Sequence, residues 1–119
     1  MERVVGIGGT FFRARDAEQL RAWYAEQLGF DVQDWGGQPF VAKDGDVTVW
    51  SAFAGETEYW PAGQQWMLNY RVDDLDAMLA QLRAAGVAVD EQVTEDENGR
   101  FGWATDPEGN RFELWQPRP

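Results

Sequence analysis

Residues 106–117 read DPEGNRFELWQP, setting one carboxylate, Glu113, among residues that otherwise read as strand and core. A solitary acid in such a setting can anchor a cationic ligand, accept a proton as a general base, or lend one oxygen to a divalent ion. It can also serve only as half of an ion pair with Arg13 or Arg71, two arginines at equivalent places in a repeat described below. Burying a carboxylate without a partner is costly, so a partner for Glu113 is expected under every reading. Service as a base needs surroundings that raise its pKa, and a neighbouring guanidinium lowers it.

The chain of 119 residues holds no histidine and no cysteine. Imidazole proton shuttles, Ser-His-Asp triads, thiolate nucleophiles and nitrogen or sulfur metal ligands are thereby excluded. Any metal has to be held by oxygen. The net charge of −11 repels phosphates and argues against nucleic acid. It serves solubility, or draws in a cationic small molecule. Seven tryptophans exceed what a small core needs and suit flat organic ligands. No apolar run approaches the roughly 18 residues of a membrane span and no secretory leader is recognisable, so a soluble cytoplasmic protein with no membrane partner is expected.

These residues need a scaffold, and the chain writes it twice. Setting Asp16 on Asp74 aligns Phe11 with Asn69, Arg13 with Arg71 and Leu20 with Met78. Each copy reads as a strand, a helix capped by the aspartate, and a glycine stop at Gly29 or Gly86. Gln19 is the expected capping-box partner of Asp16. Leu20, Trp23, Tyr24 and Leu28 form one apolar stripe, and Leu75, Met78, Leu79 and Leu82 form the other. Three strands are predicted after each helix, at about 30–35, 39–43 and 46–53, then 87–94, 100–105 and 110–116, with KDGD, ENGR and DPEGN as turns. The whole reads as a single domain with modules at about 4–53 and 65–116, joined by a linker at 54–64.

Three segments, ARDAEQLRAWYAEQLGF (14–30), NYRVDDLDAMLAQLRAAGV (69–87) and DPEGNRFELW (106–115), carry a resemblance to a known family. In this order within a duplicated chain they resemble the vicinal oxygen chelate superfamily of glyoxalases, bleomycin-resistance proteins and extradiol dioxygenases. The resemblance implies an α+β fold in which two tandem βαβββ modules form a curved mixed sheet around a cleft, commonly in homodimers. Chelating members hold a divalent metal through four side chains, one on each of four cleft-facing strands. Carried onto this chain, those places fall at Gly9, about Val49, Met67 and Glu113, so three of the four are lost. Glycine and valine cannot coordinate, and a thioether is a poor ligand for hard ions.

The resemblance therefore implies a protein without a cofactor, in the manner of the bleomycin-resistance branch, whose acidic, aromatic-rich dimers sequester a cationic drug. The alternative it implies is a divergent lyase, isomerase or dioxygenase using Glu113 with a divalent metal. A third is a module that kept the scaffold and lost the site. Strand alternation then supplies the cleft. If Gly9 faces it, so do Phe11 and Arg13; Met67 brings Asn69 and Arg71; Glu113 brings Arg111 and Trp115; and Val47, Val49 and Ser51 line the remaining wall. Phe12, Leu68, Tyr70, Phe112 and Leu114 then face the helices. Trp103 joins the candidate cleft although the sequence does not fix its register, and Tyr59 with Trp60 on the linker form a candidate mobile lid. The expected partner is a small aromatic or cationic organic molecule, with Glu113 as its anchor or, in the enzyme reading, the catalytic acid-base group.

Overall fold

The computed structural model describes residues 1–3 and 5–119; Val4, where the first module is placed to begin, lies outside them. Helix α1 spans Ala17–Leu28, and Asp16 caps it by accepting the Gln19 amide at 3.1 Å. It stops at Gly29, whose φ of 71° is left-handed, while the Phe30 amide reaches back to the Tyr24 carbonyl at 3.2 Å. Helix α2 spans Leu75–Ala84, capped by Asp74 through the Ala77 amide at 3.0 Å. Both stripes face inward: Leu20, Tyr24, Leu75, Leu79 and Leu82 are buried, and Trp23, Leu28 and Met78 partly so.

Five strands, β1 (Asn69–Arg71), β2 (Ala88–Val89), β3 (Thr94–Asp96), β4 (Gly99–Thr105) and β5 (Arg111–Pro117), make one mixed sheet in the order β1-β5-β4-β2, with β3 also pairing β4. β1 runs parallel to β5, and the other pairs are antiparallel. The strand predicted over 87–94 is split. β2 pairs Val89 with Ala104 and β3 pairs Thr94 with Phe101, so residues 90–93 bulge opposite Gly102 and Trp103. Asp90, at the start of this bulge, meets the Arg111 guanidinium at 2.9 Å.

One face of the sheet packs Ala104, Phe112 and Leu114 against Leu75, Leu79 and Leu82 of α2. Full burial of each large aliphatic or aromatic side chain there is worth about 1.5–3 kcal/mol. Gly102 allows the close approach, because a Cβ on it would stand 3.1 Å from both Leu79 methyls. The DPEGN turn between β4 and β5 clamps α1 to this layer. Buried Asp106 accepts the Tyr24 hydroxyl at 2.9 Å, the Glu108 amide at 2.9 Å and the Asn110 amide at 3.0 Å. Glu108 in turn accepts the amides of Arg15 and Asp16 at 2.6 and 2.9 Å, taking the part expected of the Gln19 side chain. Those two bonds, Asp16's first, hold the Glu108 carboxyl below the usual carboxylate range.

The α+β class and the mixed sheet agree with the sequence reading, and the difference lies in the first half. Among the described residues, the segments predicted as strands before α1 and at 30–35, 39–43 and 46–53 pair in no ladder. The KDGD turn itself forms, with Gly45 at φ 90° and the Asp46 amide 3.0 Å from the Lys43 carbonyl. Its flanks stay exposed, Val41, Val49 and Trp50 among them, and so does Phe12, expected against the helices. An alternating apolar pattern becomes a strand only beside a hydrogen-bonded neighbour and a surface to cover. Among the described residues these segments find no hydrogen-bonded strand neighbour, and only single rings such as Phe30, Phe40 and Phe53 pack on other aromatics.

Candidate functional site

Strand register arranges the sheet's second face in cross-strand rows. Asn69 on β1 stands opposite Glu113 on β5, which stands opposite Trp103 on β4. The next row is Arg71, Trp115 and Phe101. Alternation turns Phe112 and Leu114 to the core and leaves these rows on the other side.

Glu113 is only 7% exposed. Its Oε1 accepts Asn69 Nδ2 at 2.7 Å, while Oε2 accepts Trp103 Nε1 at 3.1 Å and the Tyr59 hydroxyl. The carboxylate is thus satisfied by three neutral donors and by no guanidinium, which corrects the expected ion pair. Parallel pairing of β1 with β5 puts Asn69 opposite Glu113 and Arg71 one row away, where it binds the Val47 carbonyl at 2.8 Å and Asp46 at 3.5 Å. Arg13 is exposed on a segment outside the sheet and makes no ion pair among the described residues. Arg111 instead lies against two of the residues that bond Glu113, Tyr59 and Trp103. It bonds Asp90, donates Nε to the Tyr59 carbonyl at 3.0 Å, and holds its guanidinium carbon 5.5 Å from the centre of the Trp103 ring.

The linker closes over this row. Tyr59 sets its ring edge-on to Trp103, with centroids 5.8 Å apart. Burial, and next the Glu113 carboxylate, raise its phenol pKa, so the hydroxyl stays a donor through the neutral range. Trp60 packs on Phe53 at 5.0 Å and donates Nε1 to the Gln64 carbonyl at 2.9 Å. Gln64 imitates a neighbouring strand, giving Nε2 to the Arg111 carbonyl at 2.8 Å and taking the Arg111 amide on Oε1 at 2.9 Å. The two aromatics of the candidate lid are seated here, Tyr59 on the acid and Trp60 within the linker. Outside them lies an open hollow of about 630 Å³, bordered by Glu56, Glu58, Tyr59, Trp60, Pro61 and Arg111.

The remaining candidates divide. Trp115 stacks on Phe101, with planes 5° apart and centroids 6.2 Å apart, and donates Nε1 to the Asn98 carbonyl at 2.9 Å. Met67 is half-buried just before β1, while Phe11, Val47 and Val49 are exposed and outside the sheet. Phe101 was missed by sequence reasoning because nothing there fixed the register of β4. Its cue was the two-residue step to Trp103, usable only once Trp103 is known to face Glu113. A divalent ion fits this site poorly. It would find a single carboxylate, ringed by a phenol, an indole N–H and an amide that all donate to it. Among the described residues, no group of three histidine, cysteine, aspartate or glutamate side chains is placed to hold a metal.

The family of glyoxalase-like domains matches residues 9–115. The chain belongs to this family. With it, the chain joins the glyoxalases and bleomycin-resistance proteins. Among solved structures, this glyoxalase-like domain is similar to TnmS3, an antibiotic binding protein from Streptomyces sp. CB03234, at 32% identity over 87% of this chain and 88% of that one, with a TM-score of 0.58. A glyoxalase/bleomycin resistance protein from the same Streptomyces is also 32% identical, covering 85% of this chain and 91% of that one at a TM-score of 0.55. Lactoylglutathione lyase from Agrobacterium tumefaciens shares the fold, at 16% identity over 97% and 96% of the two chains and a TM-score of 0.59. No curated protein matches the chain. Among the described residues, no helix is long and apolar enough to cross a membrane.

Proposed function

We propose that this glyoxalase-like domain binds a small aromatic or cationic organic molecule and sequesters it without a metal. The observation that carries this reading is the setting of Glu113, a buried acid beside an aromatic wall of Trp103, Phe101 and Trp115. The carboxylate attracts a cation or a strong donor, and the rings offer flat apolar surface. A net charge of −11 adds long-range attraction for cations. Similarity to an antibiotic binding protein over most of both chains supports the ligand class. The all-donor surroundings of Glu113 support metal independence.

The domain acts as a homodimer on this reading. Exposed Phe11, Val41, Val49 and Trp50, on segments with strand patterning and no ladder, support a second copy as the surface that covers them. Light scattering on the purified chain checks that part, and a monomer at micromolar concentration contradicts it. Binding is tested by tryptophan fluorescence with a panel of planar aromatic cations and their uncharged counterparts, with and without a chelator. Saturable quenching that the chelator leaves unchanged is expected. Absence of saturation across the panel, or its loss on chelation, overturns the proposal.

A further inference from the structure

The three donors on Glu113 are not equivalent. Asn69 and Trp103 reach it from strands hydrogen-bonded to β5 on either side, so the sheet fixes their backbones against Glu113. Tyr59 reaches it from the linker, whose 54–58 stretch carries no secondary structure beyond a turn. Tyr59 is itself 38% exposed, yet it lies over Glu113 and Trp103, which are 7% and 5% exposed. It also forms part of the wall of the 630 Å³ hollow, and Glu56 and Glu58 stand on that hollow's border. The linker is fastened beyond Tyr59 by the paired Gln64 and Arg111 bonds and at Tyr59 by the Arg111 Nε bond to its carbonyl, whereas residues 54–58, between Phe53 and Tyr59, are held by turn contacts.

We propose that Tyr59 is a displaceable gate: its hydroxyl occupies the anchoring carboxylate in the free protein, and a ligand enters through the acidic-rimmed hollow by replacing it. The proposal rests on the binding reading above for the identity of the guest and on the geometry alone for the gate. With the backbone held at Gln64 and at the Tyr59 carbonyl, the phenol leaves Glu113 by turning about its own side-chain bonds, which opens the hollow onto Trp103. The ligand class this admits is narrower than an aromatic wall alone would accept. A guest must bring a donor or a positive charge able to replace the phenol on Oε2, and a neutral molecule that only accepts hydrogen bonds leaves the gate shut. The raised phenol pKa agrees with this arrangement, because Tyr59 remains the neutral donor that a cationic guest outcompetes.

The test uses the full chain with tryptophan indole nitrogens labelled, as wild type, Tyr59→Phe and Tyr59→Ala. The Trp103 indole N–H signal is assigned by its disappearance in Trp103→Phe, and its exchange with solvent is measured. Loss of the hydroxyl should speed that exchange about tenfold in Tyr59→Phe, and loss of the ring should speed it further in Tyr59→Ala. Proflavine, a planar aromatic cation, is titrated into the same three proteins. It should bind Tyr59→Phe about tenfold more tightly than wild type, since a hydrogen bond to a charged group no longer has to be displaced. Unchanged indole exchange overturns the gate, as does proflavine binding that weakens when the hydroxyl is removed, which would make Tyr59 a wall of the site. Faster exchange with no proflavine binding in any of the three counts against the binding reading and for the gate.

Discussion

Replacing Asp106 with alanine should lower stability by about 3 kcal/mol, a value set by which donors it strands. The Tyr24 hydroxyl is the costly one: Tyr24 is 6% exposed and Asp106 4%, so water cannot readily take the acceptor's place. An orphaned buried hydroxyl costs about 1–3 kcal/mol. The Glu108 and Asn110 amides sit on a partly exposed turn, can rehydrate, and together add about 1 kcal/mol. A melting entropy near 2.1 cal/mol/K per residue over 119 residues converts the loss to about 12 °C in Tm. Tyr24→Phe, which leaves Asp106 its turn donors, should cost only about 1 kcal/mol, or about 4 °C. In the double variant no hydroxyl is stranded, so the two costs should fall short of additive by about 1–2 kcal/mol. Calorimetry on the four proteins settles this. Full additivity, or Asp106→Ala melting within about 3 °C of wild type, would show that the turn does not clamp α1 to the sheet.

Glu108 offers a pH test. Its folded pKa lies below the unfolded value, so its contribution is complete above the ordinary carboxylate pKa and is lost as pH falls through the folded one. The Tm gap between wild type and Glu108→Gln should therefore hold from pH 8 to about 5 and close below about pH 4; a gap independent of pH contradicts it. Burial pushes Tyr70 up to about 12, and Tyr24 and Tyr59 are raised as well, each chiefly by burial. Raised phenols stabilise fully below about pH 10 and lose that contribution as pH climbs through the folded values. Absorbance at 295 nm should then show no tyrosine titrating near pH 10; one that does would show Tyr59 undocked. Gly102→Ala should cost about 1–3 kcal/mol by overpacking, because its Cβ would press on Leu79 at 3.1 Å, and a denaturation midpoint equal to wild type would refute that contact.

Both helices were legible because Asp16, Asp74 and the glycine stops act through neighbours three or four residues away. The second-half strands were legible for a related reason, since ENGR and DPEGN form turns from their own residues and fix the register they close. The first-half strands carry the same alternation, yet an alternating pattern names a face and not its partner. At the site, alternation put Asn69 and Glu113 on one face, but the choice between Asn69 and Arg71 as neighbour depends on a parallel register no local signal encodes. The Asp106 clamp was invisible as well. Proline and glycine announced the turn, and only the fold brings Tyr24 to its aspartate, 82 residues away in the chain.

The most direct measurement compares chelator-treated wild type and Glu113→Gln for affinity toward one planar aromatic cation and its uncharged isostere. Wild type should prefer the cation, and the variant should lose about tenfold or more of that affinity, the worth of a hydrogen bond to a charged group, while binding the isostere nearly as before. Equal affinities for cation and isostere in wild type, or binding that returns only when a divalent ion is restored, would contradict it.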